Sequence, residues 1–67
     1  MKNTVHVQRA IHQMNQTELA EAIGVSRQTI SSIEKNRYVP STVLALKIAR
    51  LFKVTVEDVF ELEESDE

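Results

Sequence analysis

Leu44, Ile48, Leu51 and Phe52 stand at i, i+4, i+7 and i+8, the spacing that lays one apolar stripe along an α-helix. Before Asn15, the apolar positions Val5, Ala10, Ile11 and Met14 give a weaker stripe of the same period. The polar residues between the stripes mark where helices begin. Asn15-Gln-Thr-Glu18 has the form of a capping box, with Met14 and Leu19 placed on either side of the cap as a hydrophobic staple. Ser26 sits between Val25 and Ile30 in the same way, and Thr55, with Asp58 three residues on, between Val54 and Val59. Ser41 after Pro40 is the remaining cap. Gly24 supplies a left-handed stop, Asn36 a weaker one, and Pro40 bars a run-on from the preceding loop. The pattern predicts five helices at about 5–13, 16–23, 27–35, 42–52 and 56–60, with short extended segments at the two ends.

Composition fits that all-α reading. One Gly and one Pro in 67 residues suit a single compact helical domain better than a turn-rich β fold. No cysteine is present, which excludes disulfides and thiolate metal sites, and His6 and His12 lack the companions of a zinc site. No metal, cofactor or small-molecule ligand is expected. A chain this short buries a modest core, so packed helices and self-association are the expected sources of stability. No stretch is apolar enough to cross a membrane and no secretion-type segment opens the chain, so the expected address is the cytoplasm.

The net charge of −2 conceals a division. Residues 1–56 hold all eight Lys and Arg against three acids, Glu18, Glu21 and Glu34, a net +5. Residues 57–67 hold seven acids and no base. The body is basic enough for nucleic acid, and the acidic end 61–67 reads as a frayed tail. It is either a solvated end or a source of repulsion against non-specific DNA.

Only Gly24-Val25-Ser26 joins the second and third helices, the layout of a DNA-binding helix-turn-helix. Small Ala20 lets the helices cross closely, and Leu19, Ile23, Val25, Ile30 and Ile33 face inward. That leaves Arg27, Gln28, Ser31 and Ser32 exposed in the first turns of the third helix, where a recognition helix meets the major groove. Gln pairs with adenine and Arg with guanine in bidentate fashion, and Ser donates or accepts. Ser26 joins this set, Gln16 is placed to bind a phosphate beside a helix N-terminus, and Lys35, Asn36 and Arg37 to grip the backbone beyond. No nucleophile–base pair suggests an enzyme. Val43 and Leu46 lie off the Leu44 stripe, and with Leu62 they are candidates for a dimer seam. Tyr38 is expected to pack on the loop before the fourth helix, with phosphate contact as the second reading.

The run from Asn15 to Glu34 resembles the signature of the Cro/phage-repressor helix-turn-helix family, and Arg37-Tyr-Val-Pro-Ser41, Ala45–Ala49 and Glu57–Phe60 continue the likeness. The resemblance implies a five-helix domain that binds double-stranded operator DNA as a homodimer and regulates transcription, most often by repression. It places Gln16 on the family's phosphate-binding glutamine and Arg27, Gln28 and Ser32 on its base-reading positions. Arg9 and Glu34 fall on a pair that ties the first helix to the third. Some short relatives also pair strands at the two ends, for which Lys2–Val5 and Phe60–Glu63 are the candidates. Lys35-Asn36 in place of Asn-Gly, Lys53 in place of Gly, and Gln8 where Leu is frequent depart from the pattern. An antitoxin or other protein-interaction module on the same fold is the alternative, disfavoured by the shortness of the acidic end.

Overall fold

The computed structural model describes all residues from Met1 to Glu67, in the order β1 (Lys2–Asn3), α1 (Val5–Ile11), α2 (Gln16–Ile23), α3 (Arg27–Glu34), α4 (Thr42–Phe52), α5 (Val56–Val59) and β2 (Phe60–Glu61). A 3-10 turn at Glu64–Asp66 follows. β1 and β2 pair antiparallel, Lys2 opposite Glu61 and Asn3 opposite Phe60, so the two ends of the chain meet in a small ribbon. No helix is long and apolar enough to cross a membrane.

The core draws on every helix. Leu19, Ala20 and Ile23 of α2, Ile30 and Ile33 of α3, and Leu44, Ala45, Ile48 and Phe52 of α4 enclose one cluster with Val5, Val59 and Phe60. α4 is the longest helix and buries most, as its apolar stripe requires. The expected stripe on α1 does not form: Val5 is its only buried residue, Ala10 is exposed, and Ile11 is 65% exposed. Two turns of helix give one apolar contact, and the second anchor is ionic, through Arg9 (below). α1 also ends at Ile11 rather than 13, α3 at Glu34 rather than 35, and α5 at Val59 rather than 60.

One three-residue turn is used three times. Gln13, Gly24 and Lys53 all take positive φ, at 55°, 77° and 59°. Each is followed by an apolar residue that packs against the core, Met14, Val25 or Val54. The amide of that residue donates back to a carbonyl in the last turn of the helix: Met14 to Arg9 (2.9 Å), Val25 to Ala20 (3.0 Å) and Val54 to Ala49 (3.0 Å). The third residue, Asn15, Ser26 or Thr55, then caps the next helix with its side chain. α3 ends in the same left-handed way at Asn36 (φ 59°), with the Arg37 amide donating to the Ser32 carbonyl.

A left-handed residue other than glycine carries about 1–2 kcal/mol of Cβ strain. Lys53→Gly is therefore expected to stabilise the domain by about 1 kcal/mol, raising Tm by ~4–8 °C for a chain this size. Gly24→Ala is expected to shift Tm downward by a similar amount from strain alone, since an added Cβ meets nothing within 4 Å. Thermal melts of the two variants in one buffer test the pair; equal shifts of the same sign would refute it.

The acidic end, read from the sequence as a tail, carries the 3-10 turn at Glu64–Asp66 and lies against Met1. Glu63 and Asp66 cap the 3-10 turn between them, and both carboxylates lie 3.0 Å from the Met1 amino group.

Candidate nucleic-acid interface

α2, the Gly24-Val25-Ser26 turn and α3 form the helix-turn-helix unit. Burial of Ile30 and Ile33 fixes which face of α3 is turned in. Arg27 and Gln28 consequently stand fully in solvent, while Ser31 and Ser32 are half-buried at the edge of the face. Ser26 is the N-cap: its hydroxyl accepts from the Thr29 amide (3.1 Å) and lies 2.9 Å from the Thr29 hydroxyl. It starts α3, with its oxygen engaged by Thr29.

α3 is the one helix of the five that opens on a basic residue. α2 and α5 carry acids there, Glu18 in one and Glu57 and Asp58 in the other, which complement the positive end of the helix dipole. α3 carries no acid in its first turn and opens on Arg27. A cation at that position opposes the dipole and does nothing for the helix. It does leave a concentrated positive potential facing outward, suited to a phosphate-rich ligand.

Gln28 and Ser32 line a shallow hollow of about 320 Å³ together with Ser26, Thr29 and Tyr38. Tyr38, 46% exposed, sits beside Val39 and Pro40 of the loop ahead of α4, as expected, and also borders this hollow. Lys35, Asn36 and Arg37 are exposed just beyond α3.

One carboxylate ties three helices beneath this surface. Glu34 of α3 receives the Arg9 guanidinium of α1 at two points, Nε to Oε2 at 2.6 Å and Nη2 to Oε1 at 3.0 Å. Gln16 of α2 donates to the same Oε1 at 3.2 Å, and Arg9 Nη1 donates to the Met14 carbonyl at 3.1 Å. The side chains are 18% and 10% exposed for Arg9 and Glu34. Burial pushes the Glu34 carboxyl up, but the hydrogen bonds from Arg9 and Gln16 and the charge of Arg9 outweigh it and hold the group below the usual carboxylate range. The hydrogen bond to Glu34 raises Arg9 further. Gln16 is half-buried, with its amide nitrogen engaged by Glu34.

Nowhere do three or more His, Cys, Asp or Glu side chains gather in a way that could hold a metal ion. Val43, Leu46 and Leu62 are 64%, 53% and 65% exposed.

The helix-turn-helix family model matches residues 8–59. Among curated proteins, an uncharacterized HTH-type transcriptional regulator of Methanocaldococcus jannaschii is 50% identical over 98% of this chain and all of its own length. The uncharacterized HTH-type transcriptional regulator YgzD of Bacillus subtilis is 52% identical, with the same coverage on both sides. Among solved structures, the clp gene regulator ClgR from Corynebacterium glutamicum superposes with a TM-score of 0.74 at 30% identity, covering 81% of this chain and 57% of ClgR. The SOS-response transcriptional repressor LexA from Eubacterium rectale superposes with a TM-score of 0.78 at 27% identity, over 90% of this chain and 64% of that one.

Proposed function

The chain belongs to the helix-turn-helix family of transcriptional regulators, and from that premise we propose that it represses transcription in the cytoplasm by binding a palindromic DNA operator as a homodimer. The observation that carries this reading is the outward face of α3, polar throughout and opened by Arg27 against the helix dipole. α3 enters the major groove, where Arg27 and Gln28 meet base edges, and the small Ser31 and Ser32 let the helix approach closely. The first amides of α2, which have no partner within the helix, receive a phosphate on one side, assisted by the Gln16 carboxamide. Lys35, Asn36 and Arg37 grip the strand on the other.

One recognition helix of eight residues reads few base pairs, so two are needed for a useful specificity ratio. The exposed Val43, Leu46 and Leu62 supply apolar surface for a symmetric contact between two copies. Two α3 helices related by a two-fold axis then address half-sites ~10 bp apart. Selection of bound sequences from a random duplex pool at physiological salt is expected to enrich an inverted repeat of that spacing. Enrichment of a lone half-site would remove the dimer, and no enrichment would remove specific readout.

A further inference from the structure

One side chain of the ribbon at the chain ends hydrogen-bonds the last turn of α3. Asn3, on β1, donates from Nδ2 to the Ile33 carbonyl at 2.9 Å and to Asn36 Oδ1 at 3.0 Å. Its own Oδ1 accepts from the Val5 amide at 3.2 Å, so both ends of the carboxamide are held. Its backbone is fixed from the other direction. Asn3 pairs with Phe60 across the ribbon, the Thr4 amide donates to the Val59 carbonyl at 2.8 Å, and the Thr4 hydroxyl donates to the Asp58 carbonyl at 3.1 Å. The last turn of α3 is thereby tied to α5 and β2 through a residue about thirty positions away in sequence.

The place of that tie matters. The Ile33 carbonyl closes the turn after α3 by accepting from the Asn36 amide at 3.0 Å, and Asn3 adds a second donor to the same oxygen. Asn36 is the left-handed residue that ends the helix, at a φ of 59° that an asparagine holds less readily than a glycine. Lys35 and Arg37 stand on either side of it, both exposed. A left-handed turn set between two long cations is the joint on which their direction depends. Asn3 clamps it at the backbone of α3 and at the Asn36 side chain.

We propose that Asn3 is a positioning residue for DNA binding, fixing the turn after α3 so that Lys35 and Arg37 meet the phosphate backbone together. This rests on the DNA-binding reading above and adds to it a contribution from a residue that need not touch DNA. Pre-organised cations reach their phosphates without first losing the freedom of the turn, which is where the affinity comes from. The acids Glu57, Asp58 and Glu61 border the same groove as Asn3 and Asn36. A loosened turn is then free to bring Lys35 or Arg37 toward these carboxylates instead of toward DNA.

The test uses the full chain, a mixed-sequence DNA duplex as probe, and affinity measured across a range of salt. Asn3→Asp keeps the acceptor for Val5 and removes the donor. Asn36→Gly removes the carboxamide while giving the left-handed position its preferred residue, so it is expected to fold at least as stably as wild type. Each variant is expected to bind ~3–10-fold more weakly, with the slope of log affinity against log salt reduced by about 1. The double variant is expected to lose no more than the weaker-binding single variant, because both break one link. Because Asn36 is itself proposed to grip the strand, positioning is read from Asn3→Asp and from the non-additivity of the double variant, with an undiminished Tm separating either from mere folding. Wild-type affinity and salt slope in both single variants, or fully additive losses in the double, would overturn the proposal while leaving DNA binding standing. Failure of the wild-type chain to bind duplex in a salt-dependent way would instead overturn the parent reading.

Discussion

Arg9→Ala is expected to lower the stability of this domain by about 2–3 kcal/mol and its Tm by ~10–20 °C. The figure sits somewhat below the cost of breaking a fully buried ion pair, because the Arg9 side chain keeps 18% of its exposure. What the substitution leaves behind decides the size of the effect. The Glu34 carboxylate, 10% exposed, loses two charge-assisted hydrogen bonds and keeps only the neutral one from Gln16. The Met14 carbonyl loses its side-chain donor as well, at the turn where α1 meets α2. A domain of this length has about 3–10 kcal/mol to lose, so the substitution removes a large share of the total. Replacing both partners, Arg9→Met with Glu34→Met, removes the stranded charge and is expected to melt above Arg9→Ala alone. Calorimetry on the variants checks this; an unchanged Tm for Arg9→Ala would show that the pair contributes nothing to folding.

The same cluster makes stability depend on pH, with a definite sign. The Glu34 carboxyl titrates lower in the folded chain than in the unfolded one. The unfolded chain therefore takes up the proton first as pH falls, and the stabilisation is present above the ordinary carboxylate range. It is lost as pH falls through the depressed folded value. Asp58 and Asp66 are shifted the same way, by hydrogen bonds from Thr55 and from the Glu63 amide, and add to the acid side of the curve.

These anchors divide into those visible in the sequence and those that are not. α2 and α3 could be drawn from their caps and staples because Asn15, Ser26 and the apolar residues beside them act within one turn of the chain. α4 could be drawn because eleven residues are enough for its stripe to repeat. α1 was placed, but its anchors were not legible, since its seven residues are held by Val5 and one ionic contact rather than by an apolar stripe. Gln13 and Lys53 take the left-handed turn without glycine because the core contacts of Met14 and Val54 impose it from outside. The exposed face of α3 follows from the burial of Ile30 and Ile33, so Arg27 and Gln28 were legible. Asn3 was not, because its partners lie about thirty residues downstream and no local pattern links them. Nor does sequence alone say that Gln16 has its amide nitrogen on Glu34, which requires three helices to be in place.

Gln28→Ala should separate base reading from backbone grip. Gln28 is exposed on the second residue of α3 and borders the hollow shared with Ser32 and Tyr38, with no hydrogen bond to hold it in the free chain. Its removal costs the fold nothing of substance, so Tm is expected to stay near that of wild type. Binding to the selected site is expected to weaken by about 1–3 kcal/mol, ~5–150-fold, with discrimination lost at one base position in each half-site. Affinity for mixed-sequence duplex is expected to be unchanged. Lys35→Ala should do the reverse, weakening all sequences alike and reducing the salt slope by about 1. The contrast follows from where the two side chains stand: one on the outward face of α3, the other beyond its last turn. Competition binding with the selected site and its single-base variants measures both. If Gln28→Ala weakened every sequence equally, the side chain would be touching phosphate, and the reading of bases would have to pass to Arg27 and the two serines.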